Sequence, residues 1–393
     1  MRGMRVRSFG VCAALLIGFP ALGQIDPAKR QLLHVGYNAF FEGHAPLAAY
    51  AFYYLNSPQF YREDLTLRMA IAPVYFDSEL GISHALGPNT DIGIGLAGGG
   101  FADSYNEVRR GKYYTRESFD GYGGGASVSL YHLFNPSYKI PLHGIVRGGA
   151  YYTVFGTTDD TASRFELPDD RPSANFRAGL RFGGKEPVLF PALAMELAIW
   201  VESLHRGNSD SYGFGDDREV NSSAQLFYGN AFLAYTFARG DNLSISITGG
   251  TSANADRFSA YRLGGVLPLV AEYPLVIPGY FYQEISADRF TLFNGRYAFA
   301  LDEDKQWQIT AMAATAVVDY IDDHNQSGDW HSGVGGGVAY RSASETWKAA
   351  ITYGYGIDAI RGEGRGAHVV GLSVQFDLEK WLYKRQSKPF WWE

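Results

Sequence analysis

The chain has 393 residues, of which 46% are hydrophobic and 15% aromatic, with 47 glycines and a formal net charge of -7. That acidic balance argues against a partner made of nucleic acid, whose phosphates call for lysine and arginine. The one cysteine, Cys12, lies near the N-terminus, so the rest of the chain has no disulfide, thiol nucleophile or cysteine-ligated metal.

The first element is an export signal. Arg2, Arg5 and Arg7 precede an apolar run from Val11 to Phe19, and Ala21-Leu22-Gly23 supplies small residues for cleavage before Gln24. The run is too short to cross a bilayer as a helix, although a retained anchor is the competing reading. Cys12 is followed by more apolar chain, which speaks against a lipoprotein. Losing the three arginines takes the net charge from -7 to -10. Residues 24–46 are then read as a short mature lead. Within it, Leu32–Phe40 can supply a strand, or Ala28–Phe41 a short helix. The barrel is assigned to residues 47–378, opening with strands over Leu47–Leu55, Leu65–Val74 and Asp77–Leu86.

No run of eighteen apolar residues follows. The nearest, Val266–Tyr282, contains Glu272 and three prolines (Pro268, Pro274 and Pro278). With spanning helices excluded, the need to satisfy every backbone polar group in lipid leaves a closed barrel. The connections alternate accordingly. Short ones fall at Leu86–Thr90, Asn135–Ile140, Gly184–Pro191, Arg239–Asn242, Asp302–Lys305 and Ser342–Glu345. Long ones fall at Phe101–Ser118, Gly156–Pro172, His205–Asn221, Asn254–Asp288, Asp322–Trp330 and Ala359–Arg365.

Between them the residues alternate with period two. Phe176, Ala178, Leu180 and Phe182 oppose Asn175, Arg177, Gly179 and Arg181, and Leu243, Ile245 and Ile247 oppose Ser244, Ser246 and Thr248. The fold class expected is all-β, a transmembrane antiparallel barrel of about sixteen strands, with fourteen the alternative count. Trp347–Asp358 and Gly366–Leu378 show the clearest alternation, and the latter is read as the closing strand. It carries Gly371, Val374 and Phe376 at the spacing of a C-terminal outer-membrane insertion signal. A tail over residues 379–393 follows, with Trp381, Tyr383, Lys384, Arg385, Lys388, Phe390, Trp391 and Trp392. It suits either the membrane interface or a disordered end.

From about Asp256 to Phe376 the chain resembles the barrel of the BamA/TamA/Sam-type outer-membrane assembly superfamily, also called the bacterial surface antigen family. Arg257-Phe258 and Arg262-Leu263-Gly264-Gly265 look like the start of that family's lumen-plugging loop. Pro278-Gly279-Tyr280 sits where the loop's tip motif, Arg-Gly-Phe or Arg-Gly-Tyr, would fall. Phe290–Leu301 is similar to the next strand, Val317-Val318-Asp319 to its successor, and Ser332–Gly337 with Tyr353–Asp358 to the glycine-rich penultimate pair. Five strands follow the long loop, as in the family. Two departures stand out. Pro278 replaces the tip arginine, which removes the expected partner of Asp319 unless Arg296 or Arg289 substitutes. Gln24–Pro46 is also too short for even one of the family's periplasmic repeats, which capture clients and partner lipoproteins.

The candidate site is therefore the loop Asn254–Asp288, expected to fold into the lumen, with Arg262, Gly264, Gly265, Pro278, Gly279 and Tyr280 as its key residues. The competing reading is a surface loop packed on itself. Arg296, Asp319 and Asp358 are the candidate lumen-wall residues. The inward charges Arg147, Arg177, Arg181, Glu196 and Glu202 read either as a conduction path or as pairs that brace the interior. Asp323, Asn325, Ser327 and Gly328 imitate the start of a calcium loop, but Val334 stands where the bidentate Glu belongs. No Gly-x-Ser-x-Gly elbow or readable Ser–His pairing indicates a hydrolase.

No cofactor, metal or enzyme activity is expected. The chain is expected in the outer membrane of a Gram-negative-type cell, as a monomer among outer-membrane lipids. The resemblance implies a role in polypeptide insertion or translocation, with lateral opening between first and last strands and with separate periplasmic assembly proteins as partners. A passive solute channel and a structural barrel are the alternatives.

Overall fold

A computed structural model describes residues 28–101, 103–266 and 273–386, with side chains as far as 382. The expected signal peptide, the middle of the long loop and the end of the tail lie outside the described residues. The wall is one antiparallel sheet closed on itself. Its strands, numbered here in chain order, are β1 (Arg30–Phe40), β2 (Ala48–Pro58), β3 (Leu65–Ala72), β4 (Tyr75–Ile82), β5 (Thr90–Gly99), β6 (Phe119–Leu133), β7 (Leu142–Thr157) and β8 (Arg171–Gly184). They continue as β9 (Leu193–Arg206), β10 (Ser223–Thr236), β11 (Asn242–Ala253), β12 (Ile285–Ala300), β13 (Trp307–Tyr320), β14 (Trp330–Arg341), β15 (Trp347–Arg361) and β16 (Gly364–Asp377). Sixteen strands form the wall, and five follow the long loop, as expected. Three shorter pieces, Val108–Arg109, Lys112–Tyr113 and Tyr261–Leu263, belong to the loops.

Two boundaries differ from the sequence reading. β1 is the strand read at Leu32–Phe40, not the alternative helix, but it lies inside the segment assigned to the lead, so the wall starts at Arg30 rather than at Leu47. Its side chains explain this: Leu32, His34 and Asn38 are buried inward while Val35 and Tyr37 are exposed outward, an alternation that a helix could not use. The connection assigned to Ala359–Arg365 is a tight turn at residues 362–363, because a register shift between Gly356 and Ile360 carries β15 upward to Arg361.

The outward face is the apolar one. Met195, Leu197 and Ile199 on β9, Ile245 and Ile247 on β11, and Ile351, Tyr353 and Ile357 on β15 are all exposed. In water such a surface would be a liability, whereas in hydrocarbon it is the required complement. Closure is made by β1 and β16, which pair over nine registered positions from Leu32↔Asp377 to Phe40↔Val369. Val374 and Phe376 of the insertion signal face outward beside Val35 and Leu33, while Gly371 is buried inward opposite Asn38.

After β16 the chain turns into a helix, α1 (Leu378–Gln386), so this part of the tail is ordered. Leu378–Gln386 contains no glycine, proline or β-branched residue, and the Asp377 carboxylate accepts from the Lys380 backbone N–H at 3.0 Å as its N-cap. Lys29 reaches Glu379 at 2.9 Å, joining the segments just before β1 and just after β16 at one rim.

Candidate lumenal plug and gate

The loop between β11 and β12 returns into the barrel. Its two limbs pair with each other: Gly264 N–H donates to the Leu275 carbonyl at 2.8 Å and Gly265 N–H to the Tyr280 carbonyl at 3.2 Å. Gly264 and Gly265 have φ of +132° and +80°, and a Cβ at Gly264 would strike the Phe281 carbonyl. Only glycine allows the limbs to approach so closely. Leu263, Ile277, Tyr280 and Ile285 are fully buried against Leu292, Ala316, Val318, Ala359 and Ala367 of the inner wall. Burial of that many apolar side chains, at about 1.5–3 kcal/mol each, favours a seated plug over a loop packed on itself.

The tip, Pro278-Gly279-Tyr280, explains the glycine-rich strands. Gly279 (φ +87°) lies so close to the Tyr355–Gly356 backbone that a Cβ there would collide with it, and a Cβ at Gly354 would sit 2.9 Å from the Pro278 side chain. A Cβ at Gly333 would collide with the Pro278 carbonyl. The inner wall of β14 and β15 is bare so that backbone can pack on backbone. Beside the tip, the buried His331 ring joins two tyrosines, Tyr280 Oη at 3.1 Å from Nδ1 and Tyr320 Oη at 2.5 Å from Nε2.

The arginine expected on the tip is supplied from the opposite side. Arg361, at the end of β15, makes a bidentate pair with Glu284 of the plug at 2.8 and 2.9 Å. It also donates to the Gly279 carbonyl at 3.2 Å and lies 3.7 Å over the Phe281 ring. Glu284 in turn accepts from the Phe281 N–H at 2.6 Å. Arg262 ties the plug outward, donating to the Gln283 carbonyl at 3.2 Å and the Asn106 carbonyl at 3.1 Å.

The wall candidates divide. Arg296 faces the lumen, 3.7 Å over the Phe190 ring and 3.4 Å from Asn242 Oδ1. Asp358 accepts from the Ser332 N–H at 3.0 Å, terminating the β14–β15 ladder just above Gly333 and Gly356. Asp319 corrects the expectation: it is exposed on the outer face, in register with the equally outward Arg289. The cause is parity, since Ala314, Ala316 and Val318 are the inward set on β13. Neither Arg296 nor Arg289 is needed as its lumenal partner.

Most other inward charges are braced. Glu79 meets Arg147 at 2.5 Å and Arg68 at 3.6 Å, and accepts from Ser129 at 2.9 Å and Tyr131 at 2.7 Å. Arg181 lies 3.6 Å from Glu196, and Arg177 lies 3.9 Å over the Trp200 ring. Outside the barrel, the long loops form a cap over the plug. Tyr105, Phe165, Tyr212 and Phe258 cluster around Phe119. Beside them the buried Glu107 gathers Arg109 at 3.0 Å, Arg218 and His324 at 3.4 Å, and Arg257 at 3.5 Å. Burial alone would raise the Glu107 carboxyl. His324, Arg218, Arg257 and Arg109 outweigh burial and hold it below the ordinary carboxylate range. Nothing in the sequence pattern singled out Glu107. The would-be calcium loop spends its groups here too: Asp323 pairs with Arg257 at 3.4 Å, and the Asn325 carbonyl accepts from Arg110 at 2.9 Å.

At the opposite mouth, the turn between β8 and β9 crosses beneath the lumen. Leu189 N–H donates to Gln375 Oε1 at 2.5 Å, Lys348 to the Leu189 carbonyl at 3.2 Å, and Arg30 pairs with Glu186 at 3.0 Å. This short turn thus bridges to β15, β16 and β1, the strands of the closing seam and its neighbour. Above it, Val266 of the plug lies against Gly371, and the Asn38 amide, with its oxygen toward the plug, accepts from the Val266 N–H at 3.1 Å.

A closed sixteen-stranded barrel with an apolar outer face, stoppered by its own loop, is the architecture of a bacterial outer-membrane barrel. Among solved structures, the chain is similar to CdiB from Acinetobacter baumannii, with a TM-score of 0.57 and 10% identity over 89% of this chain and 60% of that one. It is also similar to CdiB from Escherichia coli, with a TM-score of 0.54 and 11% identity over 89% of this chain and 64% of the other. For BamA from Haemophilus ducreyi lacking POTRA domains 1-3, the TM-score is 0.53 and the identity 10%, over 88% of this chain and 70% of that structure. The chain thus spans less than two thirds of either CdiB. At such identities the likeness is one of fold. No family profile matches the sequence, and no curated protein is similar to it at the sequence level.

Proposed function

We propose that this chain is an outer-membrane protein that inserts or translocates polypeptide at that membrane, together with separate periplasmic assembly proteins. The observation that carries the reading is the docked plug: a loop of the right place in the strand order seats its Pro278-Gly279-Tyr280 tip on bare glycines of β14 and β15. The CdiB and BamA barrels are similar in fold, and the plug also touches the closing seam at Gly371. On this reading, opening the seam would disturb the plug where Val266 meets Gly371 and Asn38. A passive channel gains less support, because the plug sits in the lumen, the cap lies over it and the periplasmic turn crosses beneath it.

Depletion in the native cell tests the proposal, with the folded fraction of other outer-membrane barrels followed by heat-modifiable gel migration. A fall in that fraction, with little conductance from the purified protein in planar bilayers, supports it. Normal assembly on depletion sinks it. So do large steady pores that widen when the plug, residues 254–284, is deleted, which would favour a solute channel.

A further inference from the structure

Between the plug and the periplasmic turn lies a cavity of about 650 Å³, within the size range of small-molecule sites. Its two sides differ in chemistry. Tyr50, Phe52 and Tyr54 of β2 line one side, and Ser244, Ser246 and Asn294 line the other. Arg296 stands on the polar side. Among the described residues it is in no ion pair, and its Nε and Nη2 have no hydrogen-bond partner. A guanidinium withdrawn from water needs an anionic or polar partner to offset its desolvation. The inward cations Arg68, Arg147 and Arg181, by contrast, have theirs in Glu79 and Glu196.

The cavity also has a side door. β2 pairs with β1 up to Ala48↔Asn38, but its pairing with β3 stops at Tyr53↔Ile71 because β3 turns back at Pro73–Val74. The upper part of β2, Ala48–Phe52, therefore has no strand on its second side. The cavity lining includes this segment, residues 72–75 of the turn, and the outward-facing Val35 and Tyr37. The notch faces the surface that the apolar belt places in lipid.

We propose that the lumen binds a single-chain amphiphile with an anionic head, admitted from the membrane through this notch. The head pairs with the free guanidinium edge of Arg296, and the acyl chain lies along Tyr50, Phe52 and Tyr54. The shared chemistry is one alkyl chain ending in a carboxylate or phosphate, supplied either by a free fatty acid or by a lysophospholipid.

The test uses the full chain, delipidated and placed in nanodiscs, with radiolabelled palmitate and lysophosphatidylglycerol as separate probes. Saturable binding near one per barrel is expected. Arg296→Gln should weaken it at least tenfold, Arg296→Lys less, and Arg239→Gln, on an exposed periplasmic turn, not at all. Ala72→Trp, which narrows the notch away from the head site, should slow uptake at least tenfold. Palmitate alone binding identifies a fatty acid, and lysophosphatidylglycerol alone identifies a membrane lipid; either supports the proposal. Non-saturable partitioning overturns it, as does binding unchanged in Arg296→Gln. Should Arg296→Gln fail to fold, unchanged uptake by Ala72→Trp overturns it instead.

Discussion

At the scale of single residues, the lumen follows the rule that buried charge persists only when compensated. Glu79 is 5% exposed and holds two guanidinium groups and two hydroxyls. Glu79→Leu removes the anion and leaves Arg68 and Arg147 facing each other. A loss of about 3–5 kcal/mol is expected, the usual cost of breaking a buried pair from one side. Urea unfolding in detergent, followed by tryptophan fluorescence, measures it. Parity of this kind was legible in the sequence where the strand was long and alternating, as for Arg177, Arg181 and Glu196. It failed at Asp319, which a family likeness had placed inside. Counting from Ala314 and Ala316 along β13 would have placed it outside.

At the scale of elements, plug and cap are held by charges whose partners are far apart in sequence. Arg361 and Glu284 are 77 residues apart, and no periodicity links them. Arg361→Ala should free the tip from β15 and leave Glu284 buried without its cation. Limited proteolysis within residues 254–284 is expected to quicken by about tenfold or more, equivalent to roughly 1.4 kcal/mol of added local opening. The glycines that receive the tip were visible in the sequence as a run. Their purpose emerged only from the approach of Gly279.

The cap should respond to acid. The folded Glu107 carboxyl titrates below its unfolded value of about 4.3, so its contribution is complete above that pH and is lost as pH falls through the lower folded value. Protease nicking of residues 207–222 should therefore accelerate below about pH 4.3. Burial also lowers the neighbouring His324 to about 4, so its own contribution is lost as pH falls from the ordinary histidine range toward that value, and in Glu107→Gln the acceleration should be reduced rather than abolished.

At the scale of the whole molecule, the sheet closes on itself, and its seam is registered over nine positions. If assembly proceeds by lateral opening, that ladder must separate. The chain has no cysteine after Cys12, so a pair introduced by Val35→Cys and Val374→Cys, which are registered neighbours facing outward, is free of competing thiols. Oxidation should lock the seam and abolish complementation of a depleted strain, and reduction should restore it. Full complementation by the locked protein would exclude opening at β1–β16. The strand count and the external loops other than Ala359–Arg365 were legible because lipid enforces period two and the turns break it. The start of the wall at Arg30 was less so. The periplasmic turn was read only as a short connection, since its reach across the mouth depends on contacts with residues far down the chain.

That turn has a consequence for how the barrel comes into being. Leu189 and Gln375 are 186 residues apart, and Lys348 reaches the same peptide. Long-range contacts of this kind are the last that a chain can make. A nascent barrel leaves its lower mouth uncovered until the final strand arrives, and the cover then fastens onto that strand itself. Sealing of the mouth thereby reports completion, and a truncated or stalled chain stays open at the side from which it was delivered.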